Sequence, residues 1–164
     1  MIMTTDIAER VKDLVRTKGA QSWLGLKTLQ EGMLRDVPQP ENLDDWLPAI
    51  LVDIPRIIYP DPVAECAIRT VTGPIYPINI YYIRRYPENE NTKREDAAGL
   101  RRLAEIFIQL TAQDRMTVID DTLMRSFLVK EVDLRPAEFL ALSDMLSDLS
   151  ISAIRAEMEL ITLG

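Results

Sequence analysis

The sequence predicts an α/β chain of the α+β type, with a mostly antiparallel sheet covered by helices on one face. Three observations carry that expectation. Along residues 150–163, Ile154, Ala156, Met158 and Leu160 fall on one side while Arg155, Glu157 and Glu159 fall on the other, the period of two of a half-buried strand. Ile75–Arg85 alternates in the same way, with Tyr76, Ile78, Ile80 and Tyr82 opposite Asn79, Tyr81 and Ile83. Long helical stripes occur near the start and in the middle of the chain, so strands with a polar outer row dominate and suit an antiparallel sheet wetted on one side.

In chain order, Asp6 with Glu9 reads as an N-cap and its reciprocal partner. Ile7, Val11, Leu14 and Val15 then form one apolar stripe, predicting a helix over Asp6–Lys18 that Gly19 ends. From about 19 to 48 the pattern weakens into a less regular arm: Gly25 and Gly32 interrupt the apolar residues, and Val37–Asn42 is proline-rich. Trp23 and Trp46 lie in this arm, either covering the edge of the core or offering an interaction surface.

Ala49–Ile54 reads as a strand, and Ile57–Pro62 as a stiff connection that exposes Ile57, Ile58 and Tyr59. Ala64–Val71 alternates as a further strand, with Cys66 inward, before a turn at Thr72–Pro74 and the strand Ile75–Arg85. Pro77 has no N–H for a ladder and must lie at an edge or near that strand's start. Thr92 with Glu95 forms a capping box for a helix over Lys93–Leu110. Asp114–Arg125 is expected to be irregular, Phe127–Leu134 a strand, Pro136–Leu146 a short helix, and the terminal segment a strand that must dock in the sheet or fray.

The 164 residues make one domain, with 47% apolar and 27% charged residues, a composition that excludes global disorder. A net charge of −7 argues against a protein whose main task is gripping nucleic acid. The single Cys66 allows no intrachain disulfide, and the absence of histidine removes the usual general base and metal ligand. No signal peptide or membrane-spanning run is visible, so a cytoplasmic, membrane-free protein is expected.

No catalytic residue, metal ligand or cofactor motif emerges. The alternation places Cys66 in the core, glycines at phosphate-cradling spacing are absent, and Pro60-Asp61 is not followed by the acid-x-lysine of a nuclease core. The pairs Glu131 with Asp133 and Glu157 with Glu159 each share a strand face about 7 Å apart, a spacing seen far more often in solvated or salt-bridged residues than in metal ligands. Arg84-Arg85 and Arg101-Arg102 are mild basic clusters, read either as surface charges paired with nearby acids or as intersubunit contacts.

This arrangement resembles the tail terminator (tail completion) proteins of long-tailed bacteriophages. The segments that carry the resemblance are Asp6–Lys18, Leu47–Asp53, Glu65–Thr70, Ile75–Arg85, Thr92–Leu110 and Ile151–Leu163. It implies a hexameric ring in the virion neck, assembled in the host cytoplasm, that caps the tail-tube protein and receives the neck or head-completion protein. DNA would pass through an acidic lumen without specific binding. On that expectation Trp23, Trp46, Ile57, Ile58 and Tyr59 are candidate interface residues, and Arg84, Arg85, Arg155, Glu157 and Glu159 candidate lumen or intersubunit charges. The alternatives are another head-closure or head–tail joining protein, a non-viral adaptor binding one partner, and an enzyme built on carboxylates alone.

Overall fold

The structure is a computed structural model that describes residues 4–32, 43–59, 74–85, 98–105, 116–119, 122–139 and 149–162. Its elements in order are α1 (Thr4–Thr17), α2 (Ala20–Trp23), β1 (Thr28–Glu31), α3 (Leu43–Trp46), β2 (Ala49–Asp53), β3 (Ile75–Arg85), a helix over 98–105 (α4), β4 (Met116–Ile119), β5 (Thr122–Asp133), a 3-10 turn (Ala137–Phe139) and β6 (Leu149–Thr162). The strands form one six-stranded sheet in the order β1-β2-β3-β6-β5-β4. The β1–β2 pair is parallel and every other pair antiparallel. The expected α+β class, with its mostly antiparallel sheet, is what forms.

α1 exists because Ile7, Ala8, Val11 and Val15 return to one face every turn, and all four are fully buried. Burial of each Ile or Val there contributes roughly 1.5–3 kcal/mol. The helix begins at Thr4, so Asp6 lies inside the first turn and not at the cap expected from sequence. Gly19 does stop it, entering the left-handed region at φ 73, where an L side chain would be strained.

The long pair β3–β6 forms the sheet's centre, with eleven residues in register from Ile75↔Glu159 to Arg85↔Leu149. Alternation gives the sheet two different faces. Ile50, Val52, Tyr76, Ile78, Ile80, Tyr82, Ile154, Ala156 and Met158 point to the first face, where α1, α2 and α4 cover them. On the second face Ala49, Leu51, Tyr81, Ile83, Leu149, Ile151 and Ala153 form a smaller buried cluster with Leu47, and Trp46 packs against it. Farther along β6 the same face turns polar at Arg155 and Glu157. Pro77 sits third in β3, where Ile75 has already spent its N–H and C=O on Ile58. Backbone alternation points the proline nitrogen the same way, past the end of β2, so no ladder bond is lost there.

Two stretches differ from expectation. The arm at about 19–48 carries α2, β1 and α3, because Leu24 and Leu26 are buried and Lys27, Thr28 and Gly32 donate backbone N–H groups to the carbonyls of Pro48 and Val52. Tertiary pairing here overrides a weak local pattern. The second stretch, Asp114–Arg125, contains β4 and the start of β5, paired from Met116↔Arg125 to Ile119↔Thr122.

The expected strand Ala64–Val71, the first two residues of the turn after it, the Thr92–Glu95 capping box, the Val37–Asn42 loop, Cys66 and the Pro60-Asp61 pair lie outside the described residues. Of the helix expected over Lys93–Leu110, residues 98–105 are described and helical. Of the one expected over Pro136–Leu146, the described part is the 3-10 turn. Among the described residues no helix is long and apolar enough to cross a membrane.

Candidate functional site

Two features stand out: an ion-pair cluster around Arg155 on the second face, and an exposed apolar knob beside the start of β3. Arg155 lies in the middle of β6, opposite Asn79 of β3 and Glu131 of β5. Its side chain is 22% exposed, so its charge is largely withdrawn from water. Five contacts compensate. Nη1 donates to Asn79 Oδ1 and to Glu138 Oε2, each at 3.1 Å, and Nη2 donates to Asp133 Oδ2 at 3.1 Å and to Glu138 Oε1 at 2.5 Å. Nε lies 3.4 Å from Glu131 Oε1. The grip on Glu138 is the two-pronged fork of a planar guanidinium on a carboxylate.

A β-bulge builds this cluster. Val129 pairs with Ala156 and Val132 with Ile154, both on the core side, so β5 spends two residues, Lys130 and Glu131, where β6 spends only Arg155. The extra residue lets Lys130 reach Glu157, at 3.6 Å, while Glu131 meets Arg155.

The electrostatics are those of a clamp. The Arg155 hydrogen bond holds the Glu138 carboxyl below the usual carboxylate range, so it is ionised at neutral pH. Contact with Glu138 raises the Arg155 pKa further. Burial first, then Glu138, pushes the Tyr81 phenol well above its ordinary value, and its hydroxyl lies 3.2 Å from Glu138 Oε2. Charge and proton positions are thus fixed at neutral pH, the opposite of a poised acid or base. Glu131 and Asp133, considered from sequence as a cation-binding pair, instead share the Arg155 guanidinium. Among the described residues no group of three or more acids or cysteines is arranged to hold a metal ion.

Above the cluster, Pro55, Arg56, Pro77 and Lys130 help to wall an open cleft of about 470 Å³. Next to Arg56 comes the knob. Ile57 and Ile58 are each 37% exposed and Tyr59 is 73% exposed, as the sequence led one to expect. Two backbone hydrogen bonds of 2.8 Å between Ile58 and Ile75 tie the knob to the start of β3.

The other candidate residues scatter. Trp23 packs partly buried against the first-face core beneath Arg102, whereas Trp46 packs on the second-face cluster, so the two indoles form no common patch. Both cover core edges. Arg85 is bridged to Asp44 at 2.9 Å, and Arg84 Nε donates to the Arg85 carbonyl. Arg155, expected to face outward, is instead half-buried and held by Asn79, Glu131, Asp133 and Glu138. Glu157 is held by Lys130, and Glu159 is in register with Ile75 and Arg125. Sequence reasoning missed Asn79, Tyr81 and Glu138 as partners of Arg155, because they lie 76, 74 and 17 positions away along the chain and no local pattern links them. No protein-family model and no curated protein matches this chain.

Proposed function

We propose that this chain is a structural virion protein of the tail-terminator kind. It forms a ring on the end of a bacteriophage tail tube, stops tube growth and presents the surface to which the neck docks. The observation that carries the reading is the Ile57–Ile58–Tyr59 knob, an apolar triple held out from the sheet by its bridge to Ile75. Exposed apolar side chains fixed by backbone bonds suit a permanent contact, since little entropy remains to be lost when a partner covers them. A ring needs two different complementary patches on each protomer, and the knob supplies one of them.

The clamp at Arg155 supports the same reading from another side. It ties β3, β5, β6 and the turn after β5 into one stiff plate, which suits a part that must hold its shape under load. The net charge of −7 suits a lumen through which DNA slides. An adaptor that binds a single partner through the same knob is the second reading, and stoichiometry separates the two. The test adds the protein to polymerising tail-tube protein: tubes that stop at the length reached on addition support the terminator, and tubes that grow on unchanged oppose it.

A further inference from the structure

β3 carries an apolar feature at each end. At its start stands the Ile57–Ile58–Tyr59 knob, tied to Ile75. Towards its far end, on the first face, lies a cleft of about 460 Å³. Trp23, Leu24 and Tyr82 give the cleft apolar and aromatic surface, while Gly25, Ala98 and Gly99 add little bulk. A Cβ at Gly25 would meet nothing within 4 Å, so the cleft is open there. Ile75 and Tyr82 are seven residues apart, which puts roughly 23 Å of strand between the two features.

We propose that this cleft receives the knob of a second copy of the same chain. The proposal rests on the ring reading above and names the second of the two patches that a head-to-tail ring needs. Area decides that the knob enters a cleft. Ile57 and Ile58 at 37% exposure and Tyr59 at 73% together offer roughly 300 Å². Two knobs meeting face to face would bury roughly 600 Å², half of what the smallest stable interfaces bury. A knob set into a cleft is covered on several sides and covers the walls in turn.

Chemistry selects which cleft. The one of about 470 Å³ above the Arg155 cluster is lined by Asp53, Arg56, Lys130, Glu131 and Glu157, and one of about 360 Å³ by Lys27, Asp44 and Arg85. Covering those ions with isoleucine would strip them of water at a cost that an apolar contact does not return. Arg84 and Arg102 also line the Trp23 cleft, but a guanidinium is weakly hydrated and stacks on aromatic rings. Arg102 already lies over the Trp23 ring at 4.6 Å, and the Tyr59 ring of the next copy stacks on its other face. The negative face of that ring meets a positive group, so shape and charge agree.

The test is cross-linking of the full chain alongside its native mass. Tyr59→Cys and Ser22→Cys both replace exposed side chains, and Ser22 lines the cleft. Cys66 is retained throughout, so wild type sets the background. With a short bismaleimide, a mixture of the two variants should give several-fold more covalent dimer than either variant alone. Ala98→Trp fills the cleft from an exposed position and should raise the concentration needed for assembly about tenfold, as Tyr59→Asp does. Ser22→Trp makes the same block from another wall and replaces it if Ala98→Trp alters the circular dichroism. The proposal is overturned if wild type is oligomeric while the mixture cross-links no more than background, or if the cleft-filling variants assemble as wild type does. Either result leaves the ring reading standing. Tyr59→Cys alone cross-linking as strongly as the mixture overturns it in favour of a knob-to-knob contact. A wild type that stays monomeric at every concentration, with or without tube protein, removes the ring reading and this contact together.

Discussion

Arg155 grips Glu138 through both terminal nitrogens, at 3.1 and 2.5 Å, and thereby pins the 3-10 turn after β5 onto the middle of β6. Asp133 and Glu131 complete the acid shell around the same guanidinium. The Glu138 contact makes Arg155 a cross-link from β6 to a turn outside its ladders, added to the backbone pairing that β6 already has with β3 and β5.

Removing that cross-link should destabilise the protein unequally from its two ends. Arg155→Met leaves three carboxylates facing one another and should cost about 2–3 kcal/mol in urea denaturation, the range for charged hydrogen bonds in a half-buried place. Glu138→Gln leaves Arg155 with two acids and acts at a side chain 41% exposed, so about 1 kcal/mol is expected. The two losses should not add in a double-mutant cycle, because they break one shared contact.

The same cluster sets the pH limits. Glu138 titrates lower in the folded chain than in the unfolded one, so its contribution is complete above the ordinary value of 4.5 and is lost as pH falls through the folded value. Tyr81 titrates higher when folded, so its contribution is complete below 10.0 and is lost as pH rises above that value and the unfolded phenol ionises first. Thermal melts across pH should show both flanks. Glu138→Gln should flatten the acid flank, and Tyr81→Phe the alkaline one.

On the first face, the Tyr82 hydroxyl donates to the buried Leu24 carbonyl at 3.1 Å, tying β3 to the turn after α2. Tyr82→Phe should cost about 1 kcal/mol, because that carbonyl loses its donor away from water. Gly25 in the same turn has φ 64, and a Cβ there would meet nothing within 4 Å. Gly25→Ala should therefore cost about 1 kcal/mol through backbone strain alone, with no change in near-ultraviolet tryptophan signals.

The sheet's centre was legible in the sequence, and its margins were not. β3 alternates over Tyr76–Tyr82 and β6 over Ile154–Met158, so these runs announce their faces. In β5 the bulges at Ser126 and Lys130 shift the parity, so Val129 and Val132 share the core side although three positions apart. A fixed period of two cannot recognise such a strand. β1 is four half-buried residues, Thr28–Glu31, held by pairing with β2 and not by its own pattern. The knob was legible because Ile57, Ile58 and Tyr59 sit between prolines where no element could hide them. The Arg155 cluster was not, since its acids become neighbours only through a bulge and a turn.

If the knob is an interface, Tyr59→Asp should weaken assembly without unfolding the chain, because the side chain is 73% exposed and contributes little to the core. Ile58→Asp should also weaken assembly and leave the bridge to Ile75 in place, because that bridge is made by backbone groups alone. Circular dichroism and light scattering on the same samples separate folding from assembly.

The most direct test of the central claim is the native mass of the intact protein, alone and in the presence of tail-tube protein. A closed ring of six 18.7 kDa protomers that Tyr59→Asp disrupts is the expected result. A protein that stays monomeric at every concentration, in the presence of tube protein as in its absence, would contradict it.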